Sequence, residues 1–128
     1  MAYRIVNMEE DPRSGQFAYF RAMADPWAGI TVEVDITEFH AALDGRPFFR
    51  SFLYALARAA NAVPELRRRL LDGQVVEFDR CCPSYTAMKD SGVYVYCLVD
   101  SGLLPYEDFL TDGKRRQAEG LEGEGLAE

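Results

Sequence analysis

Residues 46–88 read RPFFRSFLYALARAANAVPELRRRLLDGQVVEFDRCCPSYTAM, and this stretch decides the fold. Pro47 suits the first turn of a helix, and apolar residues then recur at steps of three and four from Phe49 to Val63. The next residue, Pro64, lacks a backbone donor and ends the helix. Further apolar positions widen the apolar face, namely Phe48, Phe52 and Ala59. The pattern therefore predicts a long helix that is covered on more than one side.

The flanking segments alternate between extended and helical patterns. Residues 30–36 read ITVEVDI, and their strict alternation of apolar and polar residues predicts a strand with one buried face. An extended lead-in is predicted at 1–11, and strands are predicted at 75–78, 82–88 and 93–99. Helices are predicted at 12–24, 37–43, 64–71 and 104–118, with Asp11 and Thr37 as the caps of the first two. This order predicts an α/β fold, a two-layer α+β sandwich with helices on one face of a mixed sheet.

The length and composition bound the architecture. The chain has 128 residues, which fits a single domain, and it is 48% hydrophobic and 12% aromatic, which suffices for a core. We place the domain at residues 1–118. Residues 119–128 are rich in glycine and glutamate, so we expect a flexible acidic tail there.

The charge and the cysteines exclude several classes of protein. A net charge of −7 argues against nucleic acid as a partner, because phosphate binding needs clustered basic residues. We interpret the one basic run, residues 67–69, as the solvated face of a helix. Cys81, Cys82 and Cys97 have no zinc-binding spacing and fit free thiols. Without an apolar run of about 18 residues or a signal-peptide pattern, we expect a cytoplasmic protein that does not enter membranes.

Three motifs are more specific than the general pattern: VDITEF at 34–39, ALARAANAVPELRRRLLDG at 55–73, and EFDRCCPSYTAM at 77–88. Upstream, FAYFRAMADPWAGITVEVDIT at 17–37 continues in step with the first of them. With these motifs the chain resembles the N-terminal half of the chloramphenicol acetyltransferase family, from about Arg13 to Leu98. The resemblance implies a trimer with its active site in the cleft between neighbouring subunits.

The resemblance also implies a reaction. In this family the histidine of an HHxxxDG motif takes a proton from the acceptor hydroxyl, which attacks the thioester of acetyl-CoA. Imidazole suits this step because its pKa lies near neutral pH. The acceptor is an antibiotic or a similar small hydrophobic hydroxyl compound. Family positions that line the acceptor pocket fall on Tyr19, Phe20, Met23, Pro26, Val95 and Cys97, although each of these could equally be an ordinary core or surface residue.

This chain departs from the family pattern where the chemistry should lie. It contains no HHxxxDG, and its one histidine, His40, matches no catalytic position. Asp44 lies four residues further on and could orient the imidazole on a helix, but we interpret His40 as structural or solvated. Arg13 matches the family arginine that pairs with the aspartate of HHxxxDG, and without that partner we expect an idle surface charge. No residue of the chain is assigned a catalytic role or a metal.

Three functional hypotheses follow. The first is a C-terminally truncated family member that is inactive alone, whether a degenerate copy, the product of an interrupted gene, or half of a split enzyme. Such a chain keeps the scaffold and part of the acceptor pocket, and we do not expect it to bind acetyl-CoA well. The second is a binding module for a small hydrophobic molecule. The third is an assembly role, with the chain associating with itself, with a full-length paralogue or with a C-terminal complementing chain.

Overall fold

Helices and antiparallel hairpins make up the described part of the chain, which is residues 1–123 of a computed structural model. The helices are α1 (Ser14–Arg21), α2 (Thr37–Ala42), α3 (Phe48–Ala62) and α4 (Tyr106–Glu122). The strands are β1 (Tyr3–Ile5), β2 (Arg68–Leu71), β3 (Gln74–Phe78), β4 (Ser84–Met88) and β5 (Tyr94–Leu98).

The core forms where α3 and α4 pack beside β5. Along β5 the inward-facing Val95 and Cys97 are buried, and the alternating Tyr94, Tyr96 and Leu98 are exposed. This is the alternation expected of a strand with one covered face. Val99, just after the strand, forms an apolar cluster with Leu53 of α3 and Phe109 of α4. Burial of each such side chain contributes about 2 kcal/mol, so this cluster anchors both helices.

The strands lie in two antiparallel sheets, one with the order β1-β3-β2 and one formed by β4 and β5. Asp72 and Gly73 join β2 to β3 with φ values of 48° and 79°, the left-handed geometry of a tight two-residue hairpin. The α/β class predicted from the sequence is confirmed. Within residues 1–123, however, the strands form two antiparallel sheets rather than one mixed sheet.

The prediction of a helix over 64–71 is wrong. Pro64–Arg67 form one 3-10 turn, and Arg68–Leu71 are strand β2, paired with β3 so that Leu71 lies opposite Gln74. A two-residue hairpin requires an extended strand on each side, so pairing with β3 overrides the helical propensity of this segment. The basic run at 67–69 is therefore not the solvated face of a helix.

The first two helices begin differently from the prediction. Helix α1 spans Ser14–Arg21 instead of 12–24, and Asp11 precedes it by three positions, where its Oδ1 accepts the backbone N–H of Arg13 at 2.8 Å. At α2 the capping role predicted for Thr37 belongs to Asp35. Its Oδ1 accepts the backbone N–H of Thr37 at 2.9 Å and the Thr37 hydroxyl at 2.6 Å.

Residues 30–36, predicted as a strand, are not paired with any strand in residues 1–123. The apolar side chains that should form its buried face lie in solvent, with Ile30 89% and Val34 70% exposed. The prediction of a strand with one buried face at 30–36 is therefore wrong for the structure of residues 1–123, because no partner strand lies beside the segment there. The segment presents unpaired backbone donors and acceptors, the features that promote pairing with another strand.

Helix α3 is apolar on two opposite faces. One face carries the buried Leu53 and Ala57. Leu53 packs with Val99 and Phe109, and Ala57 lies beside the loop at Gly102. The other face carries an exposed row at steps of three and four, namely Phe48, Phe52, Leu56, Ala59 and Val63. A helix that is apolar on both sides is normally buried on both sides. The sequence predicts a helix that is covered on more than one side, but within residues 1–123 only one side of α3 is covered.

The last helix extends beyond the predicted domain boundary. Helix α4 continues to Glu122, four residues past the predicted end at Ala118, because paired charges such as Asp112 with Arg116 stabilise it. The first part of the predicted flexible tail, 119–122, is therefore helical, and residues 124–128 lie outside the described range. No helix in residues 1–123 combines the length and apolar character needed to cross a bilayer.

Candidate functional site

Helix α1 presents an aromatic pair to solvent. Tyr19 is 66% exposed, Phe20 is also exposed, and the two ring centroids lie 5.4 Å apart in an edge-to-face arrangement. Met23 and Pro26 follow in the exposed segment after the helix. These four predicted pocket positions therefore lie in one continuous exposed stretch. Large apolar side chains in such a position are typical of a surface that meets a ligand or another chain.

The other two predicted pocket positions lie elsewhere. Val95 and Cys97 share one face of β5, as their spacing predicts, but that face is covered by α4 and Cys97 is only 2% exposed. Gly120 of α4 passes so close that a Cβ there would come within 3.2 Å of the Cys97 Sγ. The structure therefore does not bring Val95 and Cys97 together with the α1 residues into one pocket wall within this chain.

Tyr85, across the hairpin from Cys97, ties this strand pair to α4. Its hydroxyl donates to the Gln117 Oε1 at 2.9 Å, and Arg50 of α3 donates to the same oxygen at 2.9 Å. Burial raises the pKa of the Tyr85 hydroxyl, so this group stays protonated as a donor. The bonds fix the face that carries Val95 and Cys97 against α4.

Arg13 is not the idle surface charge that we expected. Its guanidinium contacts the Asp11 carboxylate at 3.3 Å and the Glu65 carboxylate at 2.7 Å, although about half of its side chain remains exposed. Glu65 lies in the 3-10 turn after α3, so Arg13 joins the start of α1 to that turn. No sequence pattern indicates this contact, because Glu65 is 52 residues away from Arg13.

Glu77 of β3 is the centre of a larger charge cluster. It is only 7% exposed and accepts hydrogen bonds from Arg4 of β1 at 2.9 Å and from Arg68 of β2 at 3.3 Å. Arg67 approaches it at 3.7 Å, and Arg68 also contacts Asp11 at 3.0 Å. One carboxylate thus holds the two outer strands of the sheet to the central one. We call Glu77, Arg4, Arg67, Arg68 and Asp11 the Glu77 cluster.

Asn61, near the end of α3, is a structural residue that the sequence analysis missed. Its side-chain N–H groups donate to the carbonyls of Ala57, Cys81 and Ser101 at 2.8 to 2.9 Å, and its oxygen accepts the Cys81 backbone N–H at 2.9 Å. The amide therefore holds two loops against α3. The sequence feature that could have indicated this role is the single amide side chain of Asn61 in a mostly apolar helix, because a buried amide needs hydrogen-bond partners.

A family model described as chloramphenicol acetyltransferase matches residues 1–111. The chain belongs to the chloramphenicol acetyltransferase family. It is 32% identical over 90 residues to the chloramphenicol acetyltransferases of a Klebsiella species and of Escherichia coli, which covers 69% of this chain and 41% of each relative. Chloramphenicol acetyltransferase 2 of Escherichia coli is 28% identical over 88 residues.

A solved structure of a chloramphenicol acetyltransferase extends the likeness to three dimensions. It superposes with a TM-score of 0.78 at 28% identity, covering 96% of this chain and 59% of the other. The sequence resemblance from about Arg13 to Leu98 therefore understated the structural match. The chain spans about two fifths of the length of the curated relatives and about three fifths of the solved one.

Within residues 1–123, His40 and Cys82 lack the surroundings that would orient a base or activate a thiol. His40 is exposed on α2, and Asp44 lies past the helix end with φ 47°, so the helical geometry that could orient the imidazole does not continue to it. Burial raises the pKa of the Cys82 thiol, which keeps it protonated. Residues 1–123 also hold no group of three or more histidine, cysteine or acidic side chains placed for a metal ion.

The Glu77 cluster makes a prediction about stability and pH. Burial alone would raise the pKa of Glu77, but hydrogen bonds and charges from Arg4, Arg67 and Arg68 outweigh it and hold the pKa below its ordinary value. Because the folded pKa is lower than the unfolded value of about 4.3, the stabilisation is complete above that pH and is lost as the pH falls through the folded pKa. We expect Glu77→Gln to lower the free energy of unfolding at pH 7 by about 2 kcal/mol.

Urea unfolding at a series of pH values between neutral and about pH 3 checks this prediction. The variant should lose less stability than the parent chain as the solution becomes acidic. Glu10→Gln, at an exposed acidic position, is the matched control and should resemble the parent. A Glu77→Gln chain with unchanged stability at pH 7 and an unchanged pH slope would show that the cluster adds nothing to folding.

Proposed function

We propose that this chain forms the acceptor-binding part of an acetyl-CoA-dependent O-acetyltransferase that acts in the cytoplasm on a hydroxyl of an antibiotic-like molecule. In this reaction a base takes the hydroxyl proton as the acceptor oxygen bonds to the acetyl carbonyl carbon. The bond from that carbon to sulfur then breaks, and the base returns the proton to the sulfur, so that coenzyme A leaves as its thiol. The observation that carries the proposal is the exposed aromatic pair on α1, Tyr19 and Phe20, at the family's acceptor positions.

The chemistry of the pair suits an acceptor with an apolar ring and a hydroxyl. Two aromatic faces at 80° to each other offer one ring for stacking and one for an edge contact. The Tyr19 hydroxyl adds a group that can donate or accept a hydrogen bond. Met23, exposed one turn beyond, extends the apolar surface with a side chain that adapts its shape. Half a pocket of this kind would bind its ligand at a contact with another polypeptide segment.

We further propose that the base lies outside this 128-residue chain. His40 is exposed on α2, and Asp44, the carboxylate four residues further on, lies past the helix end and does not orient the imidazole. The base would come from a polypeptide segment that packs against this chain, whether it is continuous with it or separate. The same segment would hold most of acetyl-CoA, because many arginines described here already contact carboxylates, among them Arg13, Arg46, Arg68 and Arg116.

An assembly role is the second candidate, and a specific observation favours it. The unpaired segment 30–36 and the exposed row on α3 are two apolar surfaces with no cover among residues 1–123. A partner that added a strand to 30–36 or covered the α3 row would bury several large side chains, each contributing about 2 kcal/mol. Such a partner could be a further copy of the chain in a homo-oligomer, a full-length paralogue, or a complementing C-terminal chain.

The proposed function predicts no acetyl transfer by the chain alone. We expect the release of thiol from acetyl-CoA in the presence of chloramphenicol to stay at the background rate, because no oriented imidazole is available. The assay measures thiol with a chromogenic disulfide reagent. Turnover abolished by His40→Ala would show that His40 is a base after all, whereas turnover that survives this change would show that another group of the chain serves.

Ligand binding to α1 is a separate prediction. We expect chloramphenicol to perturb the NMR signals of Tyr19 and Phe20, with a dissociation constant no tighter than about micromolar, because an open surface buries only part of the ligand. Tyr19→Ala should weaken binding without unfolding the chain, since the side chain is largely exposed and outside the core. Thr111→Ala, on the exposed surface of α4, is a control that should bind like the parent. If the ligand leaves the signals of both Tyr19 and Phe20 unperturbed, the proposal that α1 carries the acceptor-binding surface is wrong.

A further inference from the structure

A cavity of about 270 Å³ lies where α2, α3 and the first turn of α4 meet. Helix α2 contributes Phe39 and Ala42 to its walls, Leu43 follows directly after that helix, and α3 contributes Ala55. These side chains are apolar, and the cavity is open to solvent because Ala42 and Ala55 in its wall are exposed. A ligand that displaces water from this apolar surface gains free energy, and the volume has room for a substituted aromatic ring.

A pair of hydroxyl groups supplies the polar part of the cavity wall. Ser51 and Tyr106 both line the cavity, Ser51 is 2% exposed, and their hydroxyl oxygens are 2.6 Å apart. The Ser51 hydroxyl donates its single proton to the Pro47 carbonyl at 2.7 Å. Tyr106 must then be the donor to Ser51, which leaves the Tyr106 oxygen able only to accept. Of these two hydroxyls, the Tyr106 oxygen is therefore the acceptor that the wall offers to a ligand. The hydroxyl of Tyr54, another lining residue, accepts a hydrogen bond from Arg58 at 3.3 Å.

Neighbouring rings and charges define this wall further. The Tyr106 ring packs against Tyr54 with centroids 5.0 Å apart, and Tyr54 in turn packs against the buried Phe109 at 5.2 Å. The Arg46 guanidinium lies 5.6 Å from the Tyr106 ring centroid, but its charge is paired with Glu107 at 2.6 Å. The Tyr106 oxygen is therefore held on a packed aromatic wall, and the nearby charge of Arg46 is balanced by Glu107. Such a wall favours a neutral ligand over an ion.

We propose that this cavity is a binding site for a small neutral aromatic molecule that carries one hydroxyl or N–H donor. The ring occupies the apolar space between α2 and α3, and its donor bonds to the Tyr106 oxygen. None of the predicted acceptor positions, from Tyr19 to Cys97, lines the cavity. The site is therefore independent of the proposed acetyl transfer, and either could fail without the other.

Two fluorinated probes that differ by one hydroxyl test the proposal. We expect 4-fluorophenol to bind the parent chain more tightly than fluorobenzene, at about millimolar affinity because the probe has few atoms. Binding is followed by fluorine NMR of the probe and by shifts of the Tyr54 and Tyr106 signals. Tyr106→Phe keeps the ring and removes the acceptor, so it should weaken 4-fluorophenol roughly two- to tenfold and leave fluorobenzene unchanged.

A second variant tests the location. Ala55→Leu fills the cavity and should abolish binding of both probes, whereas Ala41→Leu, at an exposed position of α2 outside the cavity, should not. Thermal unfolding establishes that each variant is folded, and if Ala55→Leu does not fold, the Tyr106→Phe comparison decides. Equal effects of Tyr106→Phe on both probes, or probe binding that persists in folded Ala55→Leu, would overturn the proposal. The shifts of the Tyr54 and Tyr106 signals on adding either probe should be the same in Tyr19→Ala as in the parent chain, because Tyr19 does not line the cavity.

Discussion

Helix α3 is apolar on two opposite faces, and the rest of the structure depends on how those faces are covered. Leu53 and Ala57 are buried on one face, where β5 and α4 converge. The row from Phe48 to Val63 on the other face is left in solvent. A helix in a stable layer architecture buries its apolar surface against another element. The described residues therefore form one complete layer contact and leave the second open, which is why the proposed function requires a further polypeptide segment.

Charge contributes to holding the three-stranded sheet together, beside its backbone hydrogen bonds and the buried Val75 and Val76. Its strands are short, and one carboxylate, Glu77, joins β1 and β2 to β3 through Arg4 and Arg68. Arg13 extends the same kind of contact from the start of α1 to Glu65. The resemblance implies that an arginine at the position of Arg13 pairs with the aspartate of the HHxxxDG motif. Here it stabilises the connection between α1 and the 3-10 turn, so its observed contacts are those of a structural residue.

The sequence predicted the elements whose signals are local. Helix α3 follows from an apolar repeat bounded by two prolines, and β3 to β5 follow from alternation and turn residues near their ends. It could not predict that the second half of 64–71 would be a strand, because pairing with β3 decides that segment. The alternation at 30–36 predicted a strand, and the structure has none there, because no strand within residues 1–123 pairs with the segment. The contacts of Arg13, Glu77 and Asn61 join residues far apart in sequence, and no spacing rule reveals them.

The most direct test of the account is backbone hydrogen exchange of the dilute, monomeric chain. The account predicts that amides in residues 30–36 exchange nearly as fast as those of an unstructured peptide, because no strand pairs with them. Amides within Tyr94–Leu98 should exchange far more slowly, since β5 is paired with β4 and covered by α4. Equal protection of the two segments in the monomer would mean that this chain closes its own sheet, and the open face on which the proposed function rests would not exist.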